Sequence, residues 1–208
     1  MSETEPIKNQ PTPDTPLNEK LHLQNANAVM WTLFAVLLGA LIYLGAKMIS
    51  MPYVAVGFFT LGLVPALAVV AAVGAIRGPI TGFLTGYIGE LLVNIILNGE
   101  IVAFTLYGVA FGVLGLVAGL PSYDFTRGRS LAKLSILCAI GMIFAALLTT
   151  VIGLYVERVA FLVAIGFQLL KLLTLGLPSV ILLTPLFARV WLIISTRVIK
   201  STQSTNRI

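Results

Sequence analysis

The sequence is short of charge. Only 10% of its 208 residues are Asp, Glu, Lys or Arg while 58% are apolar, against roughly 25% charged in an ordinary soluble domain. Thirteen basic and eight acidic side chains could not cover so apolar a protein, and Glu3, Glu5, Lys8 and Asp14 fall in the first 14 residues. A soluble globular fold is therefore excluded, and the expected solvent over most of the chain is lipid. One cysteine, Cys138, lies in an apolar run and one histidine, His22, in a polar stretch, which excludes a disulfide framework and a Cys/His metal cluster. No aspartate falls within an apolar run, so an intramembrane aspartyl pair is excluded, and no H-E-x-x-H, G-x-S-x-G or Walker lysine motif occurs. The expectation is a chain that is not an enzyme and holds no cofactor. Its net charge of +5 bears on loop orientation and gives no reason to expect nucleic acid.

Residues 1–28 carry four prolines and mixed charge, a composition that cannot offset its ordering entropy, and read as a disordered tail on the cytoplasmic side. Apolar runs long enough for spans follow at 29–46, 53–76, 79–97, 101–120 and 134–156. The stretch 159–196 is too long for one crossing and holds Pro178 and Pro185, which are expected to break it into two short spans, or into a shallow piece over 159–175 and one span over 177–196. Loop charge decides between these. Lys8, Lys20, Arg77, Arg127, Arg129, Lys133, Arg197, Lys200 and Arg207 share one side only if 159–175 does not cross. The expected fold is thus an all-α integral membrane protein of six transmembrane helices over 29–199, with both termini cytoplasmic, a non-crossing segment before the last span, and a cytoplasmic tail over 200–208.

The third run has an uncommon ridge. Gly78, Gly82 and Gly86 recur every four residues and are continued at the same spacing by Glu90, Asn94 and Asn98. The glycines allow close helix approach. The polar half lies beyond the midplane, where a carboxylate costs about 2.5–3.5 kcal/mol unless it meets a cavity, a partner or a ligand. Tyr87 belongs to the same face. Two readings stay open for Glu90: the wall of an outward substrate pocket, or an internal cluster, such as an ion pair with Lys171. Gln168 and Lys171, one turn apart, would either close such a pocket or snorkel to the interface. Glycines recur again at Gly108, Gly112, Gly115 and Gly119, with Phe104 and Tyr107 at the outer end as belt residues or ligand contacts. The apolar segment 50–59 is placed outside, as a pocket cover or an anchor.

The six expected spans, the polar tail, the outer apolar loop and the stretch from Gly78-Pro79 through Gly82, Gly86 and Gly89 to Glu90 together resemble the substrate-binding S components of energy-coupling factor transporters. In that family the acidic position is frequently aspartate. The resemblance implies a membrane receptor for a vitamin or similar micronutrient, working with a transmembrane coupling protein and two ATPase subunits that use the ATP. It implies substrate-binding roles for Tyr87, Glu90, Asn94, Tyr107, Gln168 and Lys171, and a docking groove for the coupling protein at Ala35 and Gly39, where the family has two alanines. A structural membrane subunit and a stand-alone small-molecule transporter are the alternatives.

Overall fold

The computed structural model describes residues 26–49, 54–56, 59–100 and 104–205. Helix α1 spans Ala26–Met48. A two-stranded antiparallel hairpin follows, β1 Val54–Val56 and β2 Phe59–Leu61, pairing Val54 with Leu61 and Val56 with Phe59. Helices α2, Pro65–Arg77, and α3, Pro79–Ile96, each start with proline in the first turn, where its missing N–H costs nothing. Between them Gly78 has φ of 108°, a conformation that a side chain would strain. Helix α4 is Leu106–Gly119, capped by the Thr105 hydroxyl accepting from the Gly108 amide, and α5 is Gly128–Tyr155. The chain closes with a short turn, α6 Phe161–Val163, a π-helical stretch Ala164–Leu169, and α7 Leu170–Thr205, which follow one another as a single rod.

Among the described residues, four stretches are long and apolar enough to cross a membrane: Val29–Met48, Pro79–Ile96, Gly128–Tyr155 and Phe161–Arg197. Their outward faces carry Phe34, Leu41, Ile136, Phe144, Leu182 and Ile193, each about half exposed or more, an apolar belt that only lipid or another apolar partner satisfies. Two expected spans are corrected. The apolar run 53–76 yields a helix only from Pro65, and 101–120 only from Leu106, so α2 and α4 are 13 and 14 residues, about 20 Å each. The reason in the first case is the hairpin, where β-branched Val54, Val56 and Thr60 enter strands.

The expected break at Pro178 and Pro185 is also corrected: both lie inside α7. Proline leaves the carbonyl four residues earlier without its helical donor. For Pro185 that carbonyl is Ile181, and the Ser135 hydroxyl of α5 donates to it at 3.0 Å. A neighbouring helix thus replaces the missing bond and the helix continues. The rod, about 67 Å at a rise of 1.5 Å per residue, is one body from Phe161 rather than a separate shallow piece and a span. Helical backbone also runs past the expected domain edge at 199.

Helix α2 is the centre of the bundle, with Ala66, Leu67, Ala68, Val70 and Ala71 almost wholly buried and α1, α3, α4 and α7 packed around it. Small residues set these distances. A Cβ on Gly82 of α3 would strike the carbonyl of Gly115 in α4, and one on Gly86 would lie 2.8 Å from the Gly112 nitrogen, so α3 and α4 touch backbone to backbone. A core of Leu114, Leu134, Cys138, Met142 and Val180 joins α4, α5 and α7.

Candidate solute cavity

Helices α2 and α4 are short at the same end of the bundle. Arg77 and Gly119 close them at one end, and Pro65 and Leu106 open them at the other. The longer α1, α3 and α5 and the rod rise past those openings, so a cavity of about 670 Å³ is left above Leu67 and Phe111. The floor exists because two helices stop early.

Five of the six substrate-binding residues expected from sequence line this one cavity: Glu90 and Asn94 from α3, Tyr107 from α4, Gln168 from the π-helical turn and Lys171 from α7. Tyr87 does not line it. Its ring lies between Phe83 and Phe104, with centroids 6.5 and 5.9 Å away, and its backbone is pressed against Gly108. The close α3–α4 approach turns that residue into packing. Segment 50–59 lies partly outside the described residues and carries no account as a cover.

Glu90 is buried and paired within the protein. The Tyr43 hydroxyl donates to Oε2 at 2.5 Å, and Lys47 Nζ lies 3.3 Å from the same oxygen. Lys47 also sits 5.6 Å from the ring centroids of Tyr43 and Phe111, a cation–π geometry that further accommodates its charge. Of the two readings left open for Glu90, the internal pairing is present, with Lys47 rather than Lys171 as the cation, because α1 runs alongside α3 and brings its last turn to the carboxylate. Tyr43 fits there because Gly89 has no side chain, a Cβ at that position lying 2.7 Å from Tyr43 Cδ1. The sequence reading missed both partners. Ala35, Gly39, Tyr43 and Lys47 recur every four residues, a smooth ridge ending in polar groups like the one on α3, and that repeat was the available signal.

Gly39 is buried, with a Cβ position 2.9 Å from Thr85 Cγ2 and 3.1 Å from Val73 Cγ2, so the smallness of this position serves the contact of α1 with α2 and α3. Ala35, one turn earlier, is half-buried.

No family model, curated protein or solved structure matches this chain. Its functional reading rests on the cavity.

The two sides of that cavity differ. On α3, Asn94 donates to the Thr105 hydroxyl at 3.3 Å and accepts from Asn98 at 3.2 Å, so this wall, with Glu90, is internally satisfied. On α5 and the rod, Thr149 Oγ1 and Gln168 Oε1 are buried without a hydrogen-bond partner. The Gln168 amide reaches α5 because Gly153 leaves room for it, and Tyr107 lies beside Gln168 and Glu157. Among the described residues, no carboxylate lies within ion-pair distance of Lys171. No group of three or more His, Cys, Asp or Glu that could hold a metal occurs among the described residues.

Proposed function

We propose that this chain is a membrane-embedded solute-binding subunit serving uptake of a vitamin or similar micronutrient, with a transmembrane coupling protein and two ATPase subunits as partners. It crosses the cell membrane six times with both termini cytoplasmic. The observation that carries the reading is the cavity: residues from α1, α3, α4, α5 and the rod, far apart in sequence, converge on one space large enough for a small organic molecule. It opens at the end of the bundle away from Arg77, Arg127 and Arg129, so with the basic loops held inside it faces outward. The partners come from the resemblance to energy-coupling factor S components, and the lack of a Walker lysine motif fits a chain whose energy comes from elsewhere.

One observation favours a purely structural subunit. Glu90 is paired internally with Lys47 and Tyr43, as a scaffold would require. Thr149 and Gln168, which line the opposite wall, each carry a buried group without a hydrogen-bond partner, and a solute in the cavity would offer them one. A stand-alone transporter is disfavoured by the glycine-mediated backbone contacts that close the bundle below the cavity. The test is affinity purification of the tagged chain from its own host, followed by reconstitution in liposomes. Recovery with a membrane partner and two ATPases, and solute uptake that depends on ATP, is the expected result. Recovery as a single chain that moves no solute would remove the proposal.

A further inference from the structure

The described residues that line the cavity include four charged side chains, Lys47, Glu90, Glu100 and Lys171. They are two of each sign, so the lining as a whole is neutral. Where each charge sits decides what that neutrality means for a solute.

The inner two are closed on each other. Glu90 is only 8% exposed, Lys47 Nζ lies 3.3 Å from its Oε2, and the Tyr43 hydroxyl donates to the same oxygen. An anionic solute that drew Lys47 away would strand the carboxylate, and a cationic solute that drew Glu90 away would strand the ammonium. Either unpaired charge is costly where water is scarce. The rings of Tyr43 and Phe111, each with its centroid 5.6 Å from Lys47 Nζ, further favour the ammonium where it is. The other two lining charges are of a different kind. Lys171 and Glu100 are exposed and opposite in sign, so water screens both and an ion gains little from either. Glu157, beside Tyr107 but outside the lining, is exposed as well and is followed in the chain by exposed Arg158.

What remains of the lining is uncharged. Leu67, Phe111, Leu172 and Leu175 supply apolar surface, whose removal from water by an apolar body is favourable. Asn94 and Asn98 each spend one amide N–H, on Thr105 and on Asn94, and an amide has two. These lining amides keep a donor for a neutral carbonyl or hydroxyl. A full charge, by contrast, would leave water and meet no free counter-ion inside.

We infer that the cavity takes an uncharged small organic molecule with an apolar or aromatic body, and that the Lys47–Glu90 pair, by neutralising itself, disfavours ions of both signs. This deepens the solute-binding reading above and rests on it.

The test uses the full chain in detergent at neutral pH and three probes that share an indole body: uncharged indole-3-acetamide, anionic indole-3-acetate and cationic tryptamine. Each is titrated calorimetrically, and any solute released on unfolding is identified by mass spectrometry. The wild type is expected to bind the amide about tenfold more tightly than either ion, the penalty of a charge left without a partner. Glu90→Gln leaves Lys47 uncompensated and should move the preference toward the acetate, while Lys47→Gln should move it toward tryptamine. A purely structural pair would lower the melting temperature in both variants without moving the order of the probes. In the wild type, an ion bound as tightly as the amide or more tightly would overturn the inference while leaving a solute-binding protein, as would folded variants whose order does not move. If either variant fails to fold, the wild-type order decides. If a solute is released but no probe binds, its own charge decides: an uncharged molecule supports the inference and an ion or zwitterion overturns it. A wild type that binds no probe and releases no solute would overturn the inference and the solute-binding reading together.

Discussion

Glu90 accepts from Tyr43 and pairs with Lys47 at the upper end of α1 and α3, so its first effect is on folding. Its side chain is 10% exposed and that of Lys47 28%, which places the pair between a surface bridge and a buried one. Glu90→Gln is expected to cost about 1–3 kcal/mol, less than a fully buried pair because Lys47 retains some contact with water. In that background, Lys47→Met should recover part of the loss, since the cost is the stranded ammonium. Thermal unfolding of the two single variants and the double variant measures this coupling, and strict additivity would contradict it. The carboxylate itself was legible from the ridge that runs from Gly78 to Asn98, because glycine followed by polar residues at constant spacing has few explanations in a lipid-facing helix. Its partner was not. Lys47 is 43 positions away in sequence, and only the parallel packing of α1 and α3 brings the two together.

The rod depends on a hydrogen bond from another helix. Because the Ser135 hydroxyl donates to the carbonyl that Pro185 leaves free, Ser135→Ala should destabilise by about 1 kcal/mol. In a Pro185→Ala background the same change should cost almost nothing, since α7 then supplies its own donor. A double-mutant cycle on thermal unfolding checks this, and equal costs in both backgrounds would refute it. Helix contact through glycine makes a sharper contrast. Gly82→Ala forces a methyl onto the Gly115 backbone, whereas Gly45 has nothing within 4 Å. The first should destabilise by about 1–3 kcal/mol, and Gly45→Ala should be neutral or stabilise by about 0.5 kcal/mol. Comparable melting shifts in the two would mean that α3 and α4 are not in backbone contact. Hydropathy located the described helices of the bundle but not where α2 begins, because the chain stays apolar through Val54–Val56 and Phe59–Leu61, which pair as strands. Apolar composition is common to a buried strand and a buried helix. The continuity through Pro178 and Pro185 was hidden for a related reason: the hydroxyl that repairs the second comes from Ser135, 46 positions upstream of the Ile181 carbonyl it bonds.

For the whole molecule, the short α2 and α4 at the centre of a taller bundle leave the cavity, and the basic residues indicate which way it faces. If, as proposed, nine of the 13 basic residues lie on the cytoplasmic side, a cysteine placed at Ser130 and one placed at Ser204, each on a Cys138→Ala background, should both resist a membrane-impermeant reagent added outside intact cells. Labelling of the Ser204 position alone would give an odd number of crossings between the two and reverse the C-terminus. The convergence of Glu90, Asn94, Tyr107, Gln168 and Lys171 on one space was partly readable, since each interrupts an apolar run. Thr149 was not, because a threonine in a membrane helix usually bonds the carbonyl one turn back, as Thr150 does with Ala146. The account stands most directly on whether the cavity holds a molecule. Mass spectrometry of small molecules released when the purified chain is unfolded, with an Ala46→Trp variant that fills the cavity wall as the control, measures this. The expected result is one solute at near-equal molar ratio from the wild type and little or none from the variant. A wild type that releases nothing, or a variant that melts normally and releases as much as the wild type, would contradict it.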